Sequence, residues 1–162
     1  IDYLEEDMYL LEYGNTEKSS HHRFERIVMQ GMTGANDKIR LVMSIVPQGF
    51  YLANSCNYIL PIQGMDLYCL LGFLNSKTIN WFFRCFSTNS NVNGYEVDNF
   101  PIPALSQPLQ AKISELVKKV IDAKLTNYTT DTSAIEKQID ELIYQAYELS
   151  RDDIKIIEDS TC

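Results

Sequence analysis

Two periodicities divide this chain. Between Arg26 and Leu60, β-branched and apolar residues come in short runs cut by glycine and proline, and from Met65 onward apolar residues recur at helical spacing. The run "RIVMQGMTG" ends at Gly31 and Gly34, both natural breakers, and "KIRLVMSIV" follows. In "VPQG", Pro47 stands at the second turn position and Gly49 at the fourth, which suits a type I turn closing a hairpin through a glycine bulge. The returning strand is then "FYLANSCNYIL". The pattern predicts three or more mostly antiparallel strands between residues 25 and 61.

Leu67, Leu70, Leu71 and Leu74 mark a helix, and Ile79, Phe82, Phe83 and Phe86 a second one after a break at "NSK", where Asn75 or Ser76 suits the cap. Trp81 and the phenylalanines beside it could stack on bases, but their helical spacing reads as core. A polar stretch, "STNSNVNGYEVDNFPIP", follows. Pro101 and Pro103 fix their own φ and push Phe100 and Ile102 out of the helical region, so this peptide is extended and reads as a boundary.

Beyond it, Ser106 caps a helix with Pro108 in its first turn and an apolar stripe of Leu109, Ile113, Leu116, Val117, Val120 and Ile121. Ile135, Ile139, Leu142, Ile143 and Ala146 mark the next helix. A third starts at Ser150, with Asp153 completing an aspartate version of the capping box. The expected class is α+β: a mainly antiparallel sheet with flanking helices, then a C-terminal helical hairpin. Residues 1–20 read as a connector, 21–103 as one lobe and 104–162 as a helical subdomain.

Composition narrows the class. With 45% hydrophobic residues in 162, the chain can bury a core, and no run approaches the ~18 apolar residues needed to span a bilayer. A soluble cytoplasmic protein is expected, and the opening at Ile1 reads as a piece of something longer. Cys56, Cys69, Cys85 and Cys162 share no short spacing and neither His21 nor His22 lies near one, so reduced thiols are expected, without zinc or disulfides. The adjacent histidines, which point apart in most backbones, read as a solvated pair.

The net charge of −8 is unevenly spread. Residues 1–17 hold six acids and no base, residues 18–93 seven bases against three acids, and residues 94–162 seven bases against thirteen acids. A basic middle between two acidic ends keeps a nucleic-acid partner open despite the overall sign. Ordinary scatter of surface charge remains the alternative.

Catalytic signatures are missing: there is no Gly-x-Ser-x-Gly, no phosphate-cradling glycine loop and no Gly-x-Gly-x-x-Gly. "DAK" at 122–124 and "DIK" at 153–155 match a fragment of a metal-dependent nuclease site, but both fall on helices whose apolar stripes already explain them. The remaining polar set comprises Asn36, Lys38 and Arg40, Lys77 and Arg84 on the second helix, and Asn89, Asn91 and Asn93 in the loop. Arginine and lysine suit guanine edges and phosphates, and asparagine pairs in bidentate fashion with adenine, so these are candidate DNA contacts. Arg40, beside the glycine-rich turn at 31–36, is the first choice for reading a base, with an ion pair inside its own sheet as the competing role.

The order of "RIVMQGMTG", "RLVMSIVPQGFYLANSCNYILP", "LYCLLGFLNSKTINWFFRCFS", "NFPIP" and "IEKQIDELIYQAYELSRDDIKIIE" resembles the TaqI-like C-terminal specificity domain of restriction-modification enzymes. This is the target recognition domain of adenine-specific DNA methyltransferases, often within single-chain type IIG enzymes that also cut. The resemblance runs from about residue 24 to 158, and "LLGFLNSK", "NFPIP" and the closing helices carry it most specifically. It implies a bacterial DNA-binding domain without catalysis of its own and without a cofactor of its own. S-adenosylmethionine and magnesium are expected for the parent enzyme, whose Asn-Pro-Pro-Tyr motif is absent here. The implied partners are double-stranded DNA and the methyltransferase or nuclease domains of the same parent chain, with no membrane. A different reading is a protein-interaction module that uses the acidic C-terminal helices and does not bind DNA.

Overall fold

The computed structural model describes residues 6–13, 16–53 and 55–161. Part of the expected connector, Asn54 and the Cys162 thiol lie outside the described residues. The described residues begin with α1 (Glu6–Tyr13) and a 3-10 helix (Glu17–Arg23) capped by Thr16, whose side chain accepts from the Ser19 amide. The strands β1 (Arg26–Met29), β2 (Met43–Val46) and β3 (Asn57–Ile59) follow. Next come α2 (Leu67–Leu74), α3 (Lys77–Phe86) and a single turn, α4 (Gly94–Val97). The C-terminal helices are α5 (Gln107–Thr126), α6 (Ser133–Ala146) and α7 (Arg151–Thr161).

The protein is α+β, and among the described residues it has one three-stranded antiparallel sheet in the order β2-β1-β3. The expectation of three or more mostly antiparallel strands between residues 25 and 61 therefore holds, with one correction: β2 and β3 do not pair with each other. Both add to β1, with Ile27 opposite Ile45 on one side and Ile59 on the other. The turn at "VPQG" does not close a hairpin. Gly49 adopts φ +88, a conformation open to glycine at little cost, and its N–H donates to the His22 carbonyl, so the turn docks on the 3-10 helix.

Alternation gives the sheet two different faces. Ile27, Met29 and Met43 are buried with Ile45 and Ile59 packed beside them, and α2 covers this side. On the other face Arg26 lies over the Tyr58 ring at 5.2 Å, and the Tyr58 hydroxyl meets His21 Nδ1 at 2.8 Å. His22 is buried, donates to the Ser19 carbonyl and stacks on Tyr51, so the two histidines do point apart but are not a solvated pair.

The caps match the chemistry of their residues. Asp66 accepts from Cys69 N–H at the start of α2, and Ser76 from Ile79 N–H at the start of α3. At α7, Ser150 and Asp153 exchange hydrogen bonds in both directions, the reciprocal box expected from their spacing. The Asp153 carboxylate of "DIK" is thereby committed to a cap.

The extended peptide at Pro101 and Pro103 turns the chain without dividing the core. Ile113 and Val117 of α5 and Ile139, Leu142 and Ile143 of α6 belong to the same buried cluster as the sheet residues and α2. The contact is close: a Cβ at Gly72 would sit 2.9 Å from Ile113 Cγ2 and 3.0 Å from Val117 Cγ2. The segments 21–103 and 104–162 thus share one hydrophobic core. Among the described residues no helix is long and apolar enough to cross a membrane.

Candidate nucleic-acid interface

The segment joining β1 to β2 leaves the sheet as a loop and returns to it past Arg40. Its turn closes through the Asp37 N–H donating to the Gly34 carbonyl and the Gly34 N–H donating to the Asp37 carboxylate. That turn exposes Asn36, and Lys38 beside it is exposed too. A second loop, 87–93, lies alongside. Met32 and Asn91 form an isolated antiparallel bridge, Thr33 N–H donates to the Ser90 carbonyl at 2.8 Å, and Val92 N–H donates to the Gly31 carbonyl at 3.1 Å.

Arg40 joins the two loops from beneath. It is 0% exposed, so the expectation that it reads a base edge is corrected. Nη1 donates to the Ser87 carbonyl at 2.8 Å, Nη2 donates to the Asn89 carbonyl, and the guanidinium lies 4.6 Å from the centre of the Phe83 ring. Its partners are carbonyl oxygens and an aromatic face, so the competing expectation of an ion pair within the sheet is also not what forms. Two of its nitrogens meet oxygens and its face meets a ring, which offsets the cost of burying the charge, while Nε is left without a hydrogen-bond partner among the described residues.

Three asparagines complete the support. Asn80 Oδ1 accepts from the Arg40 N–H at 2.8 Å and its amide donates to the Lys38 carbonyl at 2.7 Å. Asn75 makes the same kind of paired contact with Met43, 3.0 Å in each direction, and the Asn57 amide donates to the Val92 carbonyl. Each side chain stands in for a strand that is not there, satisfying backbone groups that would otherwise be buried unpaired. Sequence reasoning missed these roles. The available signal was Asn80 itself, a polar amide inside the apolar run "TINWFF" and buried in the fold.

The other candidates are dispersed. Lys77 and Arg84 face α7: Lys77 Nζ bonds the Glu158 carboxylate at 2.5 Å, and Arg84 donates to the Ser160 carbonyl at 2.7 Å. Expected as candidate DNA contacts, these two cations are instead engaged with the last helix. Asn93 is also reassigned. It begins α4, and both its N–H and its side-chain amide donate to the Glu96 carboxylate. Asn36, Lys38, Asn89 and Asn91 remain, all exposed, on two loops that the fold holds side by side.

The aromatic run on α3 divides as well. Phe83 is fully buried, whereas Phe86, expected in the core, is 46% exposed. Trp81 and Phe82 are half-buried and line a cavity of about 200 Å³ with Pro101, Tyr147, Ile156 and Ile157. Among the described residues no cluster of three metal-ligating side chains occurs. No protein-family model matches this chain, and no curated protein sequence matches it.

Proposed function

We propose that this chain is the DNA-sequence recognition part of a restriction-modification enzyme, holding duplex DNA in register for adenine methylation, or for cleavage, by domains outside the segment. The observation that carries the reading is the pairing of the two loops. Segments about sixty residues apart are bridged at Met32 and Asn91, so that Asn36, Lys38, Asn89 and Asn91, all exposed, stand on two loops held side by side. Three amides and an ammonium are suited to base edges and phosphates, and loops on a rigid scaffold are where recognition residues concentrate. The motif order that resembles the TaqI-like specificity domain points the same way.

On this reading the lobe grips the duplex while the target adenine turns out into a methyltransferase pocket, and the lobe's contacts offset the few kcal/mol that extrusion costs. The methyl donor and any metal belong to the catalytic domains of the parent, and this chain contributes binding and register.

Titrating the ¹⁵N-labelled chain with pools of short duplexes at low and moderate salt tests the proposal. A net charge of −8 and a small contact set predict weak binding, with a Kd of roughly 0.1 mM to 1 μM that weakens as salt rises. The shifted amides should lie in loops 31–42 and 87–93. Absence of any shift at low salt, or shifts confined to α5–α7, would overturn it. The exposed Leu125 and Tyr128 at the α5–α6 tip would then favour a protein-binding module.

A further inference from the structure

We infer that Arg40 is a positioning residue for recognition: it fixes the backbone of loop 87–93 so that Asn89 and Asn91 meet DNA in register with Asn36 and Lys38. This inference rests on the DNA-binding reading of the paired loops. It assigns Arg40 a part in selectivity without contact to a base.

The geometry favours arginine over any other residue. Its fork reaches carbonyls on either side of Thr88, those of Ser87 and Asn89, while its plane lies over Phe83. Ser87 is the C-cap of α3, where a cation also meets the negative end of the helix dipole. The same group therefore ends α3 and sets the direction in which the loop departs. Lysine, a point charge with no planar fork, cannot hold both carbonyls in fixed geometry.

The clamp is braced from the opposite side. Asn80 accepts from the Arg40 and Leu41 N–H groups and donates to the Lys38 carbonyl, so the arginine's backbone is tied to the helix whose end its side chain caps. The loops meet again at Thr33 with Ser90 and at Val92 with Gly31. The segment 33–40 is thus attached to loop 87–91 at both of its roots, and moving one loop moves the other.

The test uses Arg40→Lys in this chain, with Asn89→Ala and Asn91→Ala beside it. Two readouts are followed: hydrogen exchange of the Thr33 and Val92 amides, and the duplex-induced shifts in loops 31–42 and 87–93. Losing a charge-assisted hydrogen bond should speed exchange at Thr33 and Val92 by roughly tenfold or more. Core amides such as Phe83 should change much less. The duplex-induced shifts should fall together with that protection. Asn89→Ala and Asn91→Ala should lose the shifts and keep the protection. If Arg40→Lys does not fold, Asn80→Ala loosens the same clamp and is read in the same way.

Exchange that rises equally at the loops and in the core would make Arg40 an ordinary core residue and overturn the inference. Faster loop exchange with unchanged DNA shifts would overturn it too. If the unaltered chain shows no DNA-induced shift, the DNA-binding reading itself falls. The exchange data would still decide whether the clamp exists.

Discussion

Asp140 offers the sharpest test of how α6 and α7 are held on α3. It is buried, and its Oδ1 accepts from the Lys77 N–H at 3.0 Å. Burial pushes its carboxyl up from an ordinary 3.8 to about 6. The bond from Lys77 and the charge of that lysine oppose the shift, while Glu158 and Glu136 add to it. A folded-state value above the unfolded one means the folded protein holds the proton more tightly. Stability is therefore highest below pH ~4 for this group and is lost as pH rises through about 6.

A displacement of about two pH units corresponds to ~3 kcal/mol. Asparagine resembles the protonated acid and can still accept from the Lys77 N–H. Asp140→Asn should therefore stabilise the protein by up to ~3 kcal/mol at pH 7 and by only ~0.5 kcal/mol at pH 4. At neutral pH that is a rise in Tm of about 6 to 12 °C for a chain of this size. Urea denaturation at pH 4 and pH 7 measures it. A variant that is less stable at pH 7, or that differs from the parent equally at both values, would refute the reasoning.

Two further substitutions probe how the segments are joined. Gly72→Ala should destabilise by about 1–2 kcal/mol in chemical denaturation, because its Cβ meets the stiff branches of Ile113 and Val117, and this overpacking outweighs the gain in helix propensity. Equal or greater stability would show that α2 and α5 can move apart freely. Asn75→Ala leaves the Met43 N–H and carbonyl without their partner and should cost about 1–3 kcal/mol, with Met43 amide exchange accelerated.

Much of the architecture was legible because it is local. The change from short β-branched runs cut by glycine and proline to helical spacing is written in single segments, and so are the Ser76 cap and the Ser150–Asp153 box, since each depends on residues a few positions apart. The α+β class follows from that alone. Which strands pair is not local. "VPQG" is sound turn chemistry, yet β3 lies beside β1 because the Gly49 turn docks on the 3-10 helix and Ile27 has apolar partners on both sides.

The candidate site divides along the same line. Asn36, Lys38, Asn89 and Asn91 were singled out from residue type and loop composition, and the fold leaves them exposed. Arg40, Lys77, Arg84 and Asn93 carry the same chemistry in sequence, but the fold commits each of them elsewhere. A guanidinium suits a guanine edge and a pair of backbone carbonyls equally well. What decides between them is that the carbonyls of Ser87 and Asn89, nearly fifty residues away, converge on Arg40 over the ring of Phe83. That convergence is produced by α3 packing against the segment before β2, and three-dimensional packing of this kind has no signature in one chain's order of residues.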